Sequence, residues 1–433
     1  MLRPLPTPWN VYNLAGSPYF QEPLESGSNT PRPLSLFVGR QSEVRQLRNG
    51  IRSAFSSRQA IGGAPGVGKT TLVKELKALA IEDGFLTTDA LIPILTNDTT
   101  ESLFGRVLSA LYDTIVANRP QSVDNRAVQD AQILVRAARL GTGGGNVSVF
   151  GFGAGLTRGI TVVTPKDIMI DGPRVMRDLM TFVQESDARG VLLHLNNLEN
   201  LSESDAQHAA EILRDLRDLM LSHNGLHFVI VGTMDAVTTV VSTHPQVRNI
   251  VSTLMLAPLA TAEVHLLLLA RYRHLRLDTS SPAVPPADDD AVAALHDLFR
   301  GDLRGLLKAL EDGVGPLIGL AGTDTPGHAT DHPAVVRPLT IAELRVGLQH
   351  RYATHLSTLP EQKRVRQLTQ WGELAPDSTR TQKALGTMWG VTQGAVSTAV
   401  TYFIRQGYVL ATPRQGAQAT EYRLSGVSRL IFG

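Results

Sequence analysis

The feature that most restricts the fold of this chain is a glycine-rich motif, Gly63-Ala64-Pro65-Gly66-Val67-Gly68-Lys69-Thr70. It fits the pattern G-x-x-x-x-G-K-[ST] and lies between the short apolar segment Ala60-Ile61-Gly62 and a helical pattern that runs from Thr70 to Ala80. Glycines allow backbone N–H groups to gather around an anion at a helix N-terminus, where the helix dipole favours negative charge. The motif therefore predicts a phosphate-binding loop between a strand and a helix.

The loop also predicts the ligand, ATP or ADP with Mg²⁺. A lysine at position 69 brings a positive charge to the β- and γ-phosphates, and the hydroxyl of Thr70 is a magnesium ligand. The alternative interpretation of the motif is a flexible turn without a ligand. The predicted nucleotide contacts are Gly63, Pro65, Gly66, Val67, Gly68, Lys69, Thr70 and Thr71, with Val38 and Arg40 from the segment before the first helix.

Apolar segments of strand length alternate with helical patterns around and after this loop. Strands are predicted at Leu91–Leu95, Val191–Leu195, Leu226–Val231 and Leu254–Leu256. Helical spacing is present in Ser42–Phe55 before the loop and in Glu203–Leu221 between two of the strands. This alternation predicts an α/β fold, in which a parallel sheet is covered by helices on both faces.

A nucleotide site of this kind normally has acidic residues at the end of a second apolar strand, where they hold Mg²⁺ and polarise the attacking water. Here the strand Val191–Leu195 ends in Asn196-Asn197-Leu198-Glu199. An asparagine can orient a water molecule or contact a metal, the roles predicted for Asn197 and Asn196, but it cannot act as a general base. Either Glu199 serves as the base from a shifted position, or it is a solvated loop carboxylate and hydrolysis is weak.

The C-terminal part of the chain contains a second pattern, two short helices that meet at a tight turn. Leu385, Val391, Val396, Val400 and Ile404 have the spacing of such a helix-turn-helix. Strand candidates follow at 408–411 and 421–424, and the polar segment 413–417 between them would form the tip of a wing. The pattern predicts a winged helix.

A winged helix can bind DNA, although the same fold also serves as a protein-docking module. From Glu361 to the C-terminus there are nine Lys and Arg against four Asp and Glu, a local excess of basic residues. The second helix would present polar side chains to base edges, and the wing would bring an arginine near phosphates. The predicted DNA contacts are Gln393, Ser397, Thr398, Thr401 and Arg414.

Composition limits the class of protein and the number of domains. The chain has 433 residues, more than one hydrophobic core usually supports, and 42% of them are apolar. Its formal charge of +1 argues against a protein that coats nucleic acid over its whole surface. The absence of cysteine excludes disulfides and thiolate metal sites, and the lack of a signal-like or membrane-spanning apolar run predicts a cytoplasmic protein without a membrane partner.

Changes in pattern along the chain predict five segments. They are an extended N-terminal arm (1–35), an α/β nucleotide-binding domain (36–257) with a glycine-rich hairpin insertion at about 141–163, a helical lid (258–320), a linker (321–338) and the winged helix (339–433).

The order of these motifs resembles AAA+ ATPases, especially the initiator branch and the related STAND switch ATPases. The resemblance covers about residues 36–313 and includes Phe37-Val38-Gly39-Arg40, the glycine loop, and Gly301-Asp302-Leu303-Arg304. It implies that Thr233 senses the γ-phosphate and that Arg304 is a lid arginine reaching the same phosphate. It also implies that Arg248 is an arginine finger for a neighbouring subunit. The corresponding alternatives are a strand-end cap, a helix-surface arginine and a surface charge.

Two functions are compatible with these features. In the first, an AAA+ protein with weak ATP hydrolysis couples its nucleotide state and its assembly, with copies of itself or an AAA+ partner subunit, to binding of duplex DNA. In the second, the chain is a STAND-like signalling or defence switch, whose winged helix mediates autoinhibition or protein contacts. Neutral Asn196 and Asn197 favour the second, because slow hydrolysis suits a switch.

Overall fold

The computed structural model describes residues 7–27, 30–141, 165–319, 336–356, 359–412 and 420–433. The chain divides into two compact units. One consists of Pro23–Ala257, and the other of Pro258–Gly433 together with the N-terminal residues up to Glu22. The first is called the α/β unit below and the second the C-terminal unit.

The α/β unit is built on a parallel six-stranded sheet. Its strands are β1 (Ser57–Gly63), β2 (Phe85–Leu86), β3 (Ile92–Pro93), β4 (Gly190–Asn196), β5 (Leu226–Gly232) and β6 (Ser252–Leu256). They lie in the order β2-β4-β5-β1-β6, and β3 pairs with β4 beyond the end of β2. In the centre, Ile61 of β1 pairs with Val231 of β5 and with Leu254 of β6. The predicted parallel sheet is thereby confirmed.

Helices cover this sheet on both faces. In chain order they are α1 (Gln41–Arg52), α2 (Lys69–Glu82), α3 (Thr100–Asn118), α4 (Arg126–Gly141), α5 (Pro165–Glu185), α6 (Glu203–Asp215), α7 (Met234–Ser242) and α8 (Pro245–Arg248). Alternate residues of the central strands β1, β4 and β5 enter two different cores. Leu193 and Phe228 face the core that holds α3 to α7, whereas Leu192 and Val229 face the core of α1 and α2. This alternation is the period of two that a strand imposes on its side chains.

Two local predictions differ from the structure. The strand predicted at Leu91–Leu95 is reduced to Ile92–Pro93, and the preceding pair Phe85–Leu86 forms a strand of its own. Helix α1 ends at Arg52, so Phe55 lies beyond the helix and is 89% exposed, although its spacing placed it on the buried face. In both cases the end or the extent of an element was decided by tertiary packing rather than by periodicity.

The C-terminal unit is mainly helical. Its helices are α9 (Thr261–His274), α10 (Asp289–Phe299), α11 (Leu303–Val314), α12 (Ile341–Leu356), α13 (Leu359–Leu374), α14 (Gln382–Trp389), α15 (Gln393–Arg405) and α16 (Gly426–Phe432). Strands β7 (Val409–Thr412) and β8 (Glu421–Leu424) form an antiparallel pair. Helix α15 buries Val396, Val400 and Phe403, whereas Ile404, which belongs to the predicted apolar pattern, is 40% exposed; the buried residue is Phe403, one position earlier.

The lid and winged-helix segments, separate in the sequence prediction, are grouped by the structure in this one compact unit. Helix α16 packs on α10, α11 and α12, as well as on α13. Its first residue, Gly426, lies so close to Phe299 of α10 that an added Cβ would be 2.5 Å from the ring. Asp377 accepts hydrogen bonds from Arg300, at 3.2 Å, and from Arg429 of α16, also at 3.2 Å.

The predicted N-terminal arm is divided between the two units at Glu22. In the C-terminal unit it packs on α9, where the guanidinium of Arg271 donates to the carbonyl oxygens of Pro18 and Phe20 at 2.9 Å each. Tyr19 is fully buried, and its hydroxyl lies 3.4 Å from that of Tyr272. This part of the arm is therefore a packed segment with its own core contacts.

Three predicted segments lie mostly or wholly outside the described residues. They are the glycine-rich insertion, of which only residue 141 is described, most of the linker at 321–338, and the wing tip that contains Arg414. Within the described ranges, no helix combines the length and the apolar character that a membrane crossing requires.

Two histidines are buried in the central strands of the sheet. Burial, together with the charge of Lys77, lowers the pKa of His194 from 6.5 to about 3, and its Nε2 has no hydrogen-bond partner among the described residues. Burial and the charge of Arg58 lower the pKa of His227 to about 4. Both rings are therefore neutral in the folded protein at neutral pH.

We expect the α/β unit to lose stability as the pH falls below 6.5. Over that range the unfolded chain binds protons that the folded chain excludes, so each buried histidine costs about 1.4 kcal/mol per pH unit until its folded pKa is reached. His194→Leu should reduce the pH dependence of the free energy of unfolding, measured by urea denaturation between pH 7 and pH 5. His223→Leu, at a partly exposed histidine, is the control; an equal pH dependence in wild type and His194→Leu contradicts this account.

Candidate nucleotide-binding site

The glycine loop connects the end of β1 to the start of α2. Gly66 and Gly68 have φ angles of 82° and 94°, in the left-handed region that glycine adopts without strain. Helix α2 begins at Lys69 directly after Gly68, so the N–H groups of its first turn face the loop. At Gly68 an added Cβ would meet no heavy atom of the described chain within 4 Å, so glycine is needed there for its backbone conformation rather than for space.

Lys69 is buried beneath this loop, with 6% of its surface exposed. Its Nζ donates hydrogen bonds to the carbonyl oxygens of Gly63, at 2.9 Å, and Ala64, at 3.1 Å. The carboxylate oxygen Oε2 of Glu199 lies 4.0 Å from the same nitrogen. Lys69 and Glu199 lie on segments that are far apart in the sequence, and the fold brings them together at one edge of the sheet.

Arg40 supports the loop from the side of α1. It has a φ of 64°, is 7% exposed, and pairs with Glu43 at 3.0 Å. Its guanidinium also donates to the carbonyl oxygens of Val67, at 3.4 Å, and Ala257. The structure thus places Arg40 against the glycine loop, while Val38, two residues earlier, is partly buried. Direct contact of either side chain with a nucleotide stays a prediction.

The end of β4 and the turn after it contain the three polar residues predicted to hold Mg²⁺ or to orient and activate the attacking water. Asn196 is the last residue of β4, and its carbonyl oxygen accepts from the N–H of Ile94 at 3.0 Å. Asn197 has a φ of 80°, and its Nδ2 donates to the carbonyl oxygen of Ile94 at 3.2 Å. The side chain of Asn200 donates to Oδ1 of Asn197. Glu199 lies within this turn, and 43% of its side chain is exposed.

Thr233 follows β5 and caps helix α7. Its hydroxyl accepts a hydrogen bond from the N–H of Ala236 at 3.2 Å, so the capping interpretation of this residue applies. A hydroxyl that accepts one bond still has its proton to donate. A second role as a γ-phosphate sensor stays a prediction.

Most of the remaining predicted site residues are on the surface, although Val67 is buried. Thr70 is exposed in the first turn of α2, and Thr71 beside it is partly buried. Arg248 is exposed at the end of α8, and Arg304 is exposed in the first turn of α11, in the C-terminal unit. Their proposed contacts with nucleotide or with a neighbouring subunit stay predictions.

Four predicted DNA contacts are exposed on α15, namely Gln393, Ser397, Thr398 and Thr401.

Sequence reasoning missed three residues that shape the site. Leu198 is fully buried and lies against Gly232, where an added Cβ would be 2.6 Å from the Leu198 Cβ. Asn200 closes the turn by its hydrogen bond to Asn197. The sequence did contain a signal for Asn200, because asparagines such as Asn197 and Asn200, close together after a strand, are typical of turns. The close approach at Gly232 had no signal in the sequence.

The described residues contain no group of three or more His, Cys, Asp or Glu side chains that could hold a metal ion by themselves. A magnesium site that combines the Thr70 hydroxyl with phosphate oxygens and water needs no such group.

A comparison with protein families identifies the α/β unit. Residues 36–231 match the family model described as "AAA ATPase domain". This part of the chain is similar to an AAA ATPase domain. The matched residues include the glycine loop, the turn after β4 and nearly all of β5, so the matched region carries the site described above.

Solved structures similar to the chain include two archaeal proteins and one assembly from fly. The Aeropyrum pernix ORC2 protein (ADPNP-ADP complexes) is 15% identical, with 96% of this chain and 95% of that chain covered and a TM-score of 0.44. Cdc6p from Pyrobaculum aerophilum is 15% identical, with 94% and 96% covered and a TM-score of 0.40. A chain of Drosophila ORC bound to DNA is 13% identical, with 99% and 91% covered and a TM-score of 0.39. No curated protein matches the sequence.

We expect Lys69→Met to weaken ATP binding to the AAA ATPase domain by about ten- to a hundredfold, because charge-assisted hydrogen bonds to phosphate are lost. Titration with a fluorescent ATP analogue measures the dissociation constant. Lys74→Met is the matched control, since Lys74 lies on the same helix and donates instead to the carbonyl oxygen of Leu24. Wild-type affinity in Lys69→Met would show that the loop does not bind phosphates.

Proposed function

We propose that the AAA ATPase domain binds ATP with Mg²⁺, hydrolyses it slowly, and controls binding of duplex DNA by the C-terminal region. The observation that carries the proposal is the meeting of Lys69 and Glu199 at the glycine loop, with 4.0 Å between Nζ and Oε2. The ammonium of Lys69 can bind a phosphate, and the carboxylate of Glu199 can accept a proton from the water that attacks this phosphate.

The loop has the properties that a triphosphate requires. Gly66 and Gly68 place backbone N–H groups at the start of α2, and the Lys69 ammonium now bonded to loop carbonyls supplies a positive charge. The hydroxyl of Thr70, one residue later, is the proposed magnesium ligand, with Asn196 as a second neutral oxygen donor. When bound, Mg²⁺ would neutralise charge on the phosphate oxygens.

Hydrolysis would depend on Glu199. Asn196 and Asn197, at the end of β4, are neutral and cannot accept a proton from water. Glu199 is the carboxylate that the turn after β4 brings to Lys69, and its partial exposure leaves it accessible to water. A base in a turn rather than at the strand end is held less firmly, which fits slow turnover.

We expect Glu199→Gln to lower kcat for ATP hydrolysis by about a hundredfold, the usual contribution of a general base. The dissociation constant for ATP should change little, because glutamine keeps the size of the side chain. A phosphate-release assay beside the fluorescent titration separates the two effects, with Glu203→Gln, in the exposed first turn of α6, as the control. Unchanged kcat in Glu199→Gln would exclude this residue as the base.

Contact with DNA is assigned to α15 and the wing. Gln393, Ser397, Thr398 and Thr401 share the exposed side of α15, and polar side chains of this size can reach base edges in a major groove. The excess of Lys and Arg over Asp and Glu after residue 361 favours contact with phosphates.

We expect the full chain to bind duplex DNA with an affinity that falls steeply with salt. Arg414→Ala should weaken binding to all sequences and reduce the slope of log K against log salt by about one unit, as the loss of one phosphate contact does. Arg273→Ala, at an exposed arginine of α9, serves as the control. Failure of the full chain to bind duplex DNA even at low salt would end this part of the proposal.

Assembly would add a residue from a neighbouring copy to each nucleotide site. Arg248 is exposed at the end of α8, and we assign it the role of an arginine finger for the next subunit. A guanidinium supplied in this way stabilises charge on the transferred phosphate.

The alternative function, a nucleotide-dependent signalling switch, is favoured by the neutral Asn196 and Asn197 and by one feature of the C-terminal unit. Helix α16 packs on α10 and α11, and Asp377 joins Arg300 to Arg429. Such packing suits an autoinhibitory arrangement in which the C-terminal region serves protein contacts. A monomer that retains ADP through purification, does not bind DNA, and assembles when ADP is exchanged for ATP would favour the switch over the DNA-binding function.

A further inference from the structure

We infer that Asn197 and Asn200 are positioning residues, which hold Glu199 against Lys69 through a side-chain hydrogen bond across the turn after β4. The inference rests on the proposed function, in which Glu199 is the base. It assigns to the two asparagines a role in directing that carboxylate, without contact between either of them and the reacting atoms.

The backbone of the turn depends on the residue type at position 197. Asn197 has a φ of 80°, where a side chain with a Cβ is disfavoured and asparagine is tolerated better than most residues. This conformation ends β4 and starts the single helical turn Leu198–Asn200, in which the N–H of Asn200 donates to the Asn197 carbonyl oxygen at 3.2 Å. The change of direction at Asn197 carries Glu199 back towards the glycine loop.

Side-chain hydrogen bonds then attach the turn to its surroundings. The amide of Asn197 uses both ends, since Nδ2 donates to the Ile94 carbonyl oxygen at 3.2 Å and Oδ1 accepts from Asn200. Ile94 is itself bound to β4, because its N–H donates to the carbonyl oxygen of Asn196 at 3.0 Å. Asn197 therefore links Asn200, the last residue of the turn, to the sheet through the segment after β3.

Packing supports the turn on one side but not on the other. The fully buried Leu198 sits against Gly232 of β5 and sets how deeply the turn lies. On the opposite side, Asn197 and Asn200 form part of the wall of a cavity of about 480 Å³, which Asn97 and Arg106 also line. Because this side borders open space, the hydrogen bond between the asparagines controls the tilt of the turn and thus the direction of Glu199.

The nucleotide-binding groups are held mainly by contacts outside this turn, apart from the 4.0 Å approach of Glu199 to Lys69. Lys69 is bonded to the carbonyl oxygens of Gly63 and Ala64, and the loop conformation is set by Gly66 and Gly68. Loss of the hydrogen bond between Asn197 and Asn200 should therefore lower kcat for ATP hydrolysis and leave the dissociation constant for ATP unchanged. A general effect on folding would lower both.

The experiment compares Asn200→Ala, Asn197→Gly and the double variant in the full chain, by steady-state ATP hydrolysis and by titration with a fluorescent ATP analogue. Glycine at position 197 keeps the left-handed backbone and removes the side chain. Each single variant should lower kcat by about tenfold or more, the cost of a small misplacement of a catalytic group, with the ATP dissociation constant and the melting temperature little changed. The double variant should lose little more than Asn197→Gly alone, because the bond that Asn200→Ala removes is already absent from Asn197→Gly.

Asn97→Ala is the matched control, an exposed asparagine of the same cavity, and should hydrolyse ATP at the wild-type rate. Wild-type kcat in Asn200→Ala, or a loss of ATP affinity parallel to the loss of kcat, overturns the inference. Glu199→Gln is measured beside these variants. If Glu199→Gln abolishes turnover while Asn200→Ala does not, the inference fails and the proposed base stands; if Glu199→Gln has no effect, or wild type shows no turnover, the proposed base fails and the inference with it.

Discussion

The parallel pairing of β1, β5 and β4 is the constraint on which the candidate site depends. Because the carboxyl ends of parallel strands lie at one edge of a sheet, the glycine loop after β1 meets there the turn after β4 and Thr233 after β5, which lie more than a hundred residues further along the chain. The hydrophobic cores on the two faces hold the register of this sheet. The ammonium of Lys69 and the carboxylate of Glu199 meet as a consequence of that register, not of any local sequence signal.

The C-terminal unit has a second organising feature, helix α16. It lies last in the described chain, yet it packs on α10, α11 and α12, which lie before or at the start of the predicted winged-helix segment. The ion pairs of Asp377 with Arg300 and Arg429 are partly solvent-exposed and add little stability, so the apolar packing around Phe299 and Gly426 is the stronger link. Because α16 also packs on α13, the helices of the predicted lid and those of the predicted winged helix share contacts within this one unit.

The glycine loop, the central strands and the α/β class could be predicted from the sequence, because each has a strong periodic or motif signal. The two-residue strand Phe85–Leu86 could not, since its existence depends on pairing with β4. The packing of the arm on Arg271 and Tyr272 of α9 was also hidden, because it joins residues about 250 positions apart. In the site, sequence reasoning found Glu199 but not its support: the left-handed Asn197 and the contact of Leu198 with Gly232 are properties of the folded turn.

The central claim is that nucleotide in the AAA ATPase domain controls the DNA affinity of the C-terminal region. It is tested most directly by the dissociation constant of a fluorescent DNA duplex for the full chain, measured at one salt concentration with MgATP, with MgADP and without nucleotide. The account predicts an affinity that differs between the MgATP and MgADP states, and a difference that disappears in Lys69→Met. The same DNA affinity in all three states, or no DNA binding in any of them, would contradict it.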